Sequence, residues 1–157
     1  HSCYEKYSSV FLGTSEDTYL PKDFVHISME QTLQDKRENL QAKRFLFVDT
    51  DPIVILFKMM LYKQKHHQWS ETLESVYKRA IENIETVILT HVQSVNMTVY
   101  IYPEHHMTDS VKMQENEMLL ALYKQYNCPI EIIRPNNYDS RFLAAIACIN
   151  KQFNIVK

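Results

Sequence analysis

The chain has 157 residues, 17 basic and 19 acidic side chains, a net charge of −2, and a single glycine, Gly13. Its length suits one domain that buries about two-thirds of its unfolded surface, and its scattered basic residues argue against a nucleic-acid partner. Cys3, Cys128 and Cys148 lack metal-type spacing, no apolar run approaches the roughly 18 residues of a membrane span, and no N-terminal stretch reads as a signal peptide, so a reduced, cytoplasmic, membrane-free protein is expected.

The first twenty residues carry little pattern beyond a loop at Gly13–Asp17, and the opening His1 in place of Met leads us to expect a native start that lies upstream or has been removed. From Pro21 to Lys43, Phe24, Ile27, Met29, Leu33 and Leu40 recur between charges, which predicts a long amphipathic helix. Phe45-Leu46-Phe47-Val48 is a continuous apolar run, the pattern of a strand buried on both faces, and it ends abruptly in Asp49-Thr50-Asp51. Pro52 suits the first position of an almost wholly apolar helix that runs to Tyr62. Lys63–Gln68 is a polar link. Beyond it, Leu73, Val76, Tyr77, Ala80, Ile81, Ile84, Ile88 and Val92 hold helical register to about residue 95, with Ser70 placed to cap. Val87-Ile88-Leu89-Thr90 taken alone would suit a strand, but the unbroken register favours the helix.

Strands are predicted at 97–103 and 129–133, helices at 113–126 and 139–151, with Asp139 as a natural cap for the last and Cys148 buried among apolar neighbours. Alternation of strands and helices leads to one α/β domain over residues 1–157. Its expected form is a three-layer sandwich with a mainly parallel sheet flanked by helices. Ligands in such sheets gather beyond the carboxyl ends of the strands, so the loops after Val48, Tyr102 and Ile133 become candidate site loops. Asp49 and Asp51 are the leading candidates there, since a carboxylate can take a proton from a hydroxyl or hold Mg²⁺; the alternative for either is the cap of the following helix. The adjacent pairs His66-His67 and His105-His106 read as surface residues rather than metal ligands.

Phe47-Val48-Asp49-Thr50-Asp51, the apolar helix ending in Leu61-Tyr62 and the His-containing link after it resemble the nicotinamide riboside kinase domain of bacterial NAD-biosynthesis regulators and related small P-loop kinases. The stretch Asn137-Tyr138-Asp139-Ser140-Arg141-Phe142-Leu143 is similar to the family's segment between its last strand and last helix. Together these cover about residues 40–70 and 129–150. The resemblance implies a P-loop-kinase-like fold and a kinase that phosphorylates a nucleoside-like substrate such as nicotinamide riboside, with ATP as co-substrate and Mg²⁺ as cofactor. Asp49 and Asp51 would be catalytic, with Asp49 also meeting the metal. Thr50, Tyr62, His67, Asp109 and Lys112 would contact the substrate, and Asn137 and Tyr138 the nucleotide. The family's glycine-rich phosphate loop, and the strand before it, have no counterpart in a chain with one glycine. The chain is therefore expected to be either a fragment of such a kinase with a missing N-terminal segment that held the first strand and phosphate loop, or a degenerate relative that has lost transfer chemistry; a homo-oligomer is the other partner expected.

Two other readings share these residues. Haloacid dehalogenase-like phosphatases also end a strand in Asp-x-Asp, although Ile53 stands where they want Thr or Val and no later acid pair is found. A catalytically inactive nucleotide-fold domain that serves interaction or regulation would fit the missing glycines.

Overall fold

The computed structural model describes residues 19–43, 45–66, 70–102, 109–134 and 137–154. The chain divides into two compact units, His1–Gln93 and Ser94–Lys157.

The first unit is helical. Helix α1 spans Pro21–Gln41, α2 Pro52–Lys65 and α3 Glu71–Ser94, whose last residue passes into the second unit. Proline at the first position of α1 loses no hydrogen bond, because that N–H has no partner within a helix. Asp23, two residues on, accepts the backbone N–H of Leu20 at 2.8 Å and fixes the turn into the helix. Phe24 and Ile27 of α1, Ile53, Ile55, Leu56 and Met59 of α2, and Tyr77, Ala80, Ile84 and Ile88 of α3 are buried. The α3 set falls at i, i+3, i+7 and i+11, one stripe of a helix, each large member contributing about 1.5–3 kcal/mol on full burial. Val87-Ile88-Leu89-Thr90 lies inside α3, as its register requires, and the Thr90 hydroxyl donates back to the Thr86 carbonyl. Ser70 accepts the Leu73 N–H and so caps α3. Lys63 near the end of α2 pairs with Glu74 at 2.9 Å and lies over the Tyr77 ring, joining α2 to the start of α3.

The second unit holds a strand β1, Thr98–Ile101, a helix α4, Ser110–Gln125, a strand β2, Ile130–Ile133, and a helix α5, Tyr138–Phe153. The strands pair in parallel, Thr98 opposite Ile130 through Ile101 opposite Ile133. Parallel neighbours need a long crossover, which α4 provides. Helix α4 begins three residues before the expected start because Asp109 caps it, and α5 begins with Asn137 rather than Asp139 as its cap. Only a left-handed residue lets the chain leave α4 here, and Asn127 supplies it at φ 53°. Its N–H reaches the Lys124 carbonyl and the Cys128 N–H reaches that of Tyr123, so two terminal carbonyls are satisfied before β2. Asn127→Gly should leave the thermal midpoint unchanged or raise it, whereas Asn127→Val should cost about 1–2 kcal/mol, read by calorimetry.

This architecture overturns the expected three-layer sandwich. The protein is mostly helical, and among the described residues its only sheet is the two-stranded β1–β2 pair. No strand forms at Phe45–Val48: Phe47 is 68% exposed and Val48 37% exposed, where a central strand would bury both. An apolar run records a tendency to be covered, but a strand exists only through a ladder of hydrogen bonds to a neighbouring strand, and residues 45–48 take no strand conformation. Leu33 and Leu40 of α1 are exposed as well, so its apolar contacts end about halfway along it. Cys128 is buried with its sulfur 3.4 Å from the Thr98 hydroxyl, while Cys148, expected in the core, is only half-buried on a helix with no buried residue among its described side chains. No helix among the described residues is long and apolar enough to cross a membrane.

Candidate functional site

The Asp49-Thr50-Asp51 entry to α2 is the best-defined polar feature of the first unit. Asp51, 8% exposed, accepts the backbone N–H of Ile53 at 2.8 Å and of Val54 at 3.0 Å through Oδ1. Those N–H groups have no partner within the helix, and the positive end of the helix favours the carboxylate, so Asp51 performs the capping role weighed for it from sequence. Asp49 is exposed and Thr50 half-buried. Of the two carboxylates, Asp49 alone faces solvent openly.

Tyr62 occupies the other end of α2. Its ring stacks on His66 with centroids 4.2 Å apart and meets Phe24 at 5.7 Å. Eleven residue steps along the helix separate it from Asp51, about 16 Å at 1.5 Å per residue, so the fold does not bring Tyr62 to the carboxylate pair. His67 lies outside the described residues.

The remaining candidates belong to the second unit. Asp109 caps α4 by accepting the N–H groups of Val111 at 3.0 Å and Lys112 at 3.3 Å, while the Lys112 side chain is exposed. Asn137 caps α5 by accepting the Ser140 N–H at 2.9 Å, and the Ser140 hydroxyl returns to the Asn137 carbonyl. Tyr138 is the first residue of that helix. Asp51, Asp109 and Asn137 therefore share one structural task, the start of a helix. Sequence signals for it were present in the proline after Asp51 and in the Asn-x-x-Ser spacing at 137–140.

A groove of about 610 Å³ in the second unit is floored by Leu120, Ala121, Ile130 and Ile132, with Lys124 and Arg134 among its polar lining. The Arg134 guanidinium sits 4.7 Å above the Tyr102 ring, a cation–π contact. Asp109, Lys112 and Asn137 are not among the residues that line it. Nearby, the Tyr100 hydroxyl donates to Asn116, and burial raises its pKa above the ordinary value of 10.0.

One group escaped the sequence reading. Gln31, wholly buried on α1, donates through Nε2 to Asp35 Oδ1 at 2.7 Å, and Asp51 and His91 act on Asp35 electrostatically from α2 and α3. The Gln31–Asp35 spacing of four residues allows the bond on any helix, but only the packing of three helices brings Asp51 and His91 to it.

Among the described residues, no group of three or more His, Cys, Asp or Glu side chains is placed to hold a metal ion. Comparison with protein-family models, curated proteins and solved structures finds no significant match to this chain.

Proposed function

We propose that this chain is a relative of the small nucleoside kinases that binds a nucleoside-like ligand, nicotinamide riboside being the first to try, with Asp49 as the carboxylate that meets the ligand's hydroxyl groups. The single observation that supports the reading is the Asp49-Thr50-Asp51 entry itself: Asp51 is engaged as a helix cap, and Asp49 is left exposed beside it. In this reading Asp51 orients the segment, and Thr50 contributes a further hydroxyl. Magnesium takes one or two carboxylates and completes its octahedron with water and phosphate oxygens, a demand that Asp49 alone meets only in part. ATP fits less well, because a chain with one glycine has no converging row of N–H groups for its phosphates. Ligand binding is therefore assigned to these residues, and no transfer step is.

Calorimetric titration of the whole chain with nicotinamide riboside, in the absence of ATP, tests the reading. Saturable binding that is lost in Asp49→Asn, with an unchanged melting curve, is the expected result. Binding that persists in the variant removes Asp49 from the site, and no binding to the wild type removes the reading.

A second reading, a domain that serves protein interaction, has one observation in its favour. Phe142 and Leu143 of α5 are 58% and 65% exposed, neighbours on a helix that also shows Ile146 and Phe153. Concentration-dependent association without nucleoside binding would favour it.

A further inference from the structure

Helix α4 carries two adjacent stripes. Asn116, Leu119, Leu122 and Tyr123 are buried, while Glu117, Leu120, Ala121 and Lys124, at i, i+3, i+4 and i+7, line the groove of the second unit. Ile130, Ile132 and Arg134 stand at alternate positions along β2 and just past it, so they share one face of the sheet, and all three line the same groove. Ile132 is 44% exposed although it lies within the strand, and among the described residues no strand pairs with the outer edge of β2. The apolar floor is thus left open by helix and sheet alike.

The two ends of the groove differ. As the crossover between parallel strands, α4 runs back against them, so Lys124 lies by the start of β2. Arg134 follows the last residue of β2, four residue steps or about 13 Å from Ile130. Tyr102 stands beside it: its N–H donates to the Ile133 carbonyl at 2.9 Å, and its ring carries the guanidinium 4.7 Å from the centroid. A guanidinium held over a ring still has its planar N–H fork for a carboxylate, which it meets with two parallel bonds. Among the described residues, the Arg134 side chain has no hydrogen bond or ion pair. Two cations, Arg134 and Lys124, face one carboxylate, Glu117, so the lining favours an anion, and Glu117 opposes a second negative charge on it.

We infer that this groove binds a small monocarboxylic acid with an apolar body, its carboxylate on Arg134 and its body along Ile132 and Ile130 beneath Leu120 and Ala121. The volume of about 610 Å³ suits a ligand of that size. The site lies wholly within the second unit and does not depend on nucleoside binding.

Titration of the full chain with octanoate, followed by amide NMR, tests the inference, with 1-octanol and octylammonium as comparison probes. Saturable shifts confined to Tyr102 and residues 117–134 are expected, with octanoate about tenfold or more tighter than either comparison probe. Arg134→Gln, at an exposed position, should weaken octanoate about tenfold and leave octanol unchanged. Lys124→Gln should weaken octanoate by no more than about threefold. Ala121→Leu, which narrows the groove from an exposed helix position, should weaken octanoate and octanol together and keeps the test independent of Arg134. Octanol binding as tightly as octanoate overturns the inference, as does a larger loss from Lys124→Gln than from Arg134→Gln. So do shifts centred outside the groove, or none up to about 10 mM octanoate. Self-association that shifts the same amides without ligand assigns the groove to a second copy of the chain and also overturns it.

Discussion

Phe24→Ala should cost about 3–5 kcal/mol, the largest effect of any single truncation considered for this protein. The Phe24 ring is 1% exposed and touches two other rings: Tyr19 edge-on at 5.5 Å and Tyr62 at 5.7 Å. It therefore joins the entry of α1 to the end of α2, and its removal takes away both buried area and the two aromatic contacts, which add about 0.5–1.5 kcal/mol each. The surrounding helices cannot close such a gap without moving, so a cavity term adds to the transfer term. In urea, with a slope of about 1–3 kcal/mol per molar, the midpoint of the first unit should drop by about 1 M or more. Met29→Ala, on the same helix but 51% exposed, is the control and should change stability by less than about 0.5 kcal/mol. Equal effects at the two positions would mean that α1 does not pack through Phe24.

The second large effect separates the two aspartates before α2. Asp51→Ala removes the acceptor of the Ile53 and Val54 N–H groups in a place water reaches poorly, and should cost about 1–2 kcal/mol. Asp51→Asn keeps an oxygen in the same position and should cost only a few tenths. Asp49→Asn, at an exposed residue outside the helix, should leave the denaturation midpoint within about 0.5 kcal/mol of the wild type. Paired melting curves thus assign a structural role to one carboxylate and leave the other to ligand titration. If Asp49→Asn were the more damaging to stability, the division of labour between them would be reversed.

The two aspartates also mark where sequence reasoning stops. An acidic residue before proline at a helix start satisfies the rules for a cap, and the same residue after an apolar run satisfies those for a catalytic carboxylate. Only the positions of the Ile53 and Val54 N–H groups decide between them for Asp51. Asp109 and Asn137 show the same ambiguity at α4 and α5, and each spends its side chain on the backbone. Tyr62 and Asp51 look close enough in sequence to share a site, yet a straight helix sets them at opposite ends.

What the sequence determined by itself were the local elements whose signal is periodic. The stripe of Tyr77, Ala80, Ile84 and Ile88 specifies α3, Pro52 and the apolar run after it specify the start of α2, and β-branched residues between helices mark β1 and β2. Tertiary structure alone decided which apolar surfaces are covered. Phe45–Val48 has the composition of a buried strand but forms none and leaves Phe47 and Val48 exposed, and Phe142, Leu143, Ile146 and Phe153 of α5 stay exposed, because burial depends on what other elements bring to a surface. The same holds for Asp35: its helix was legible, but Asp51 before α2 and His91 of α3, some 16 and 56 residues further along the chain, act on its carboxyl only in the folded protein, the first disfavouring its charge and the second favouring it.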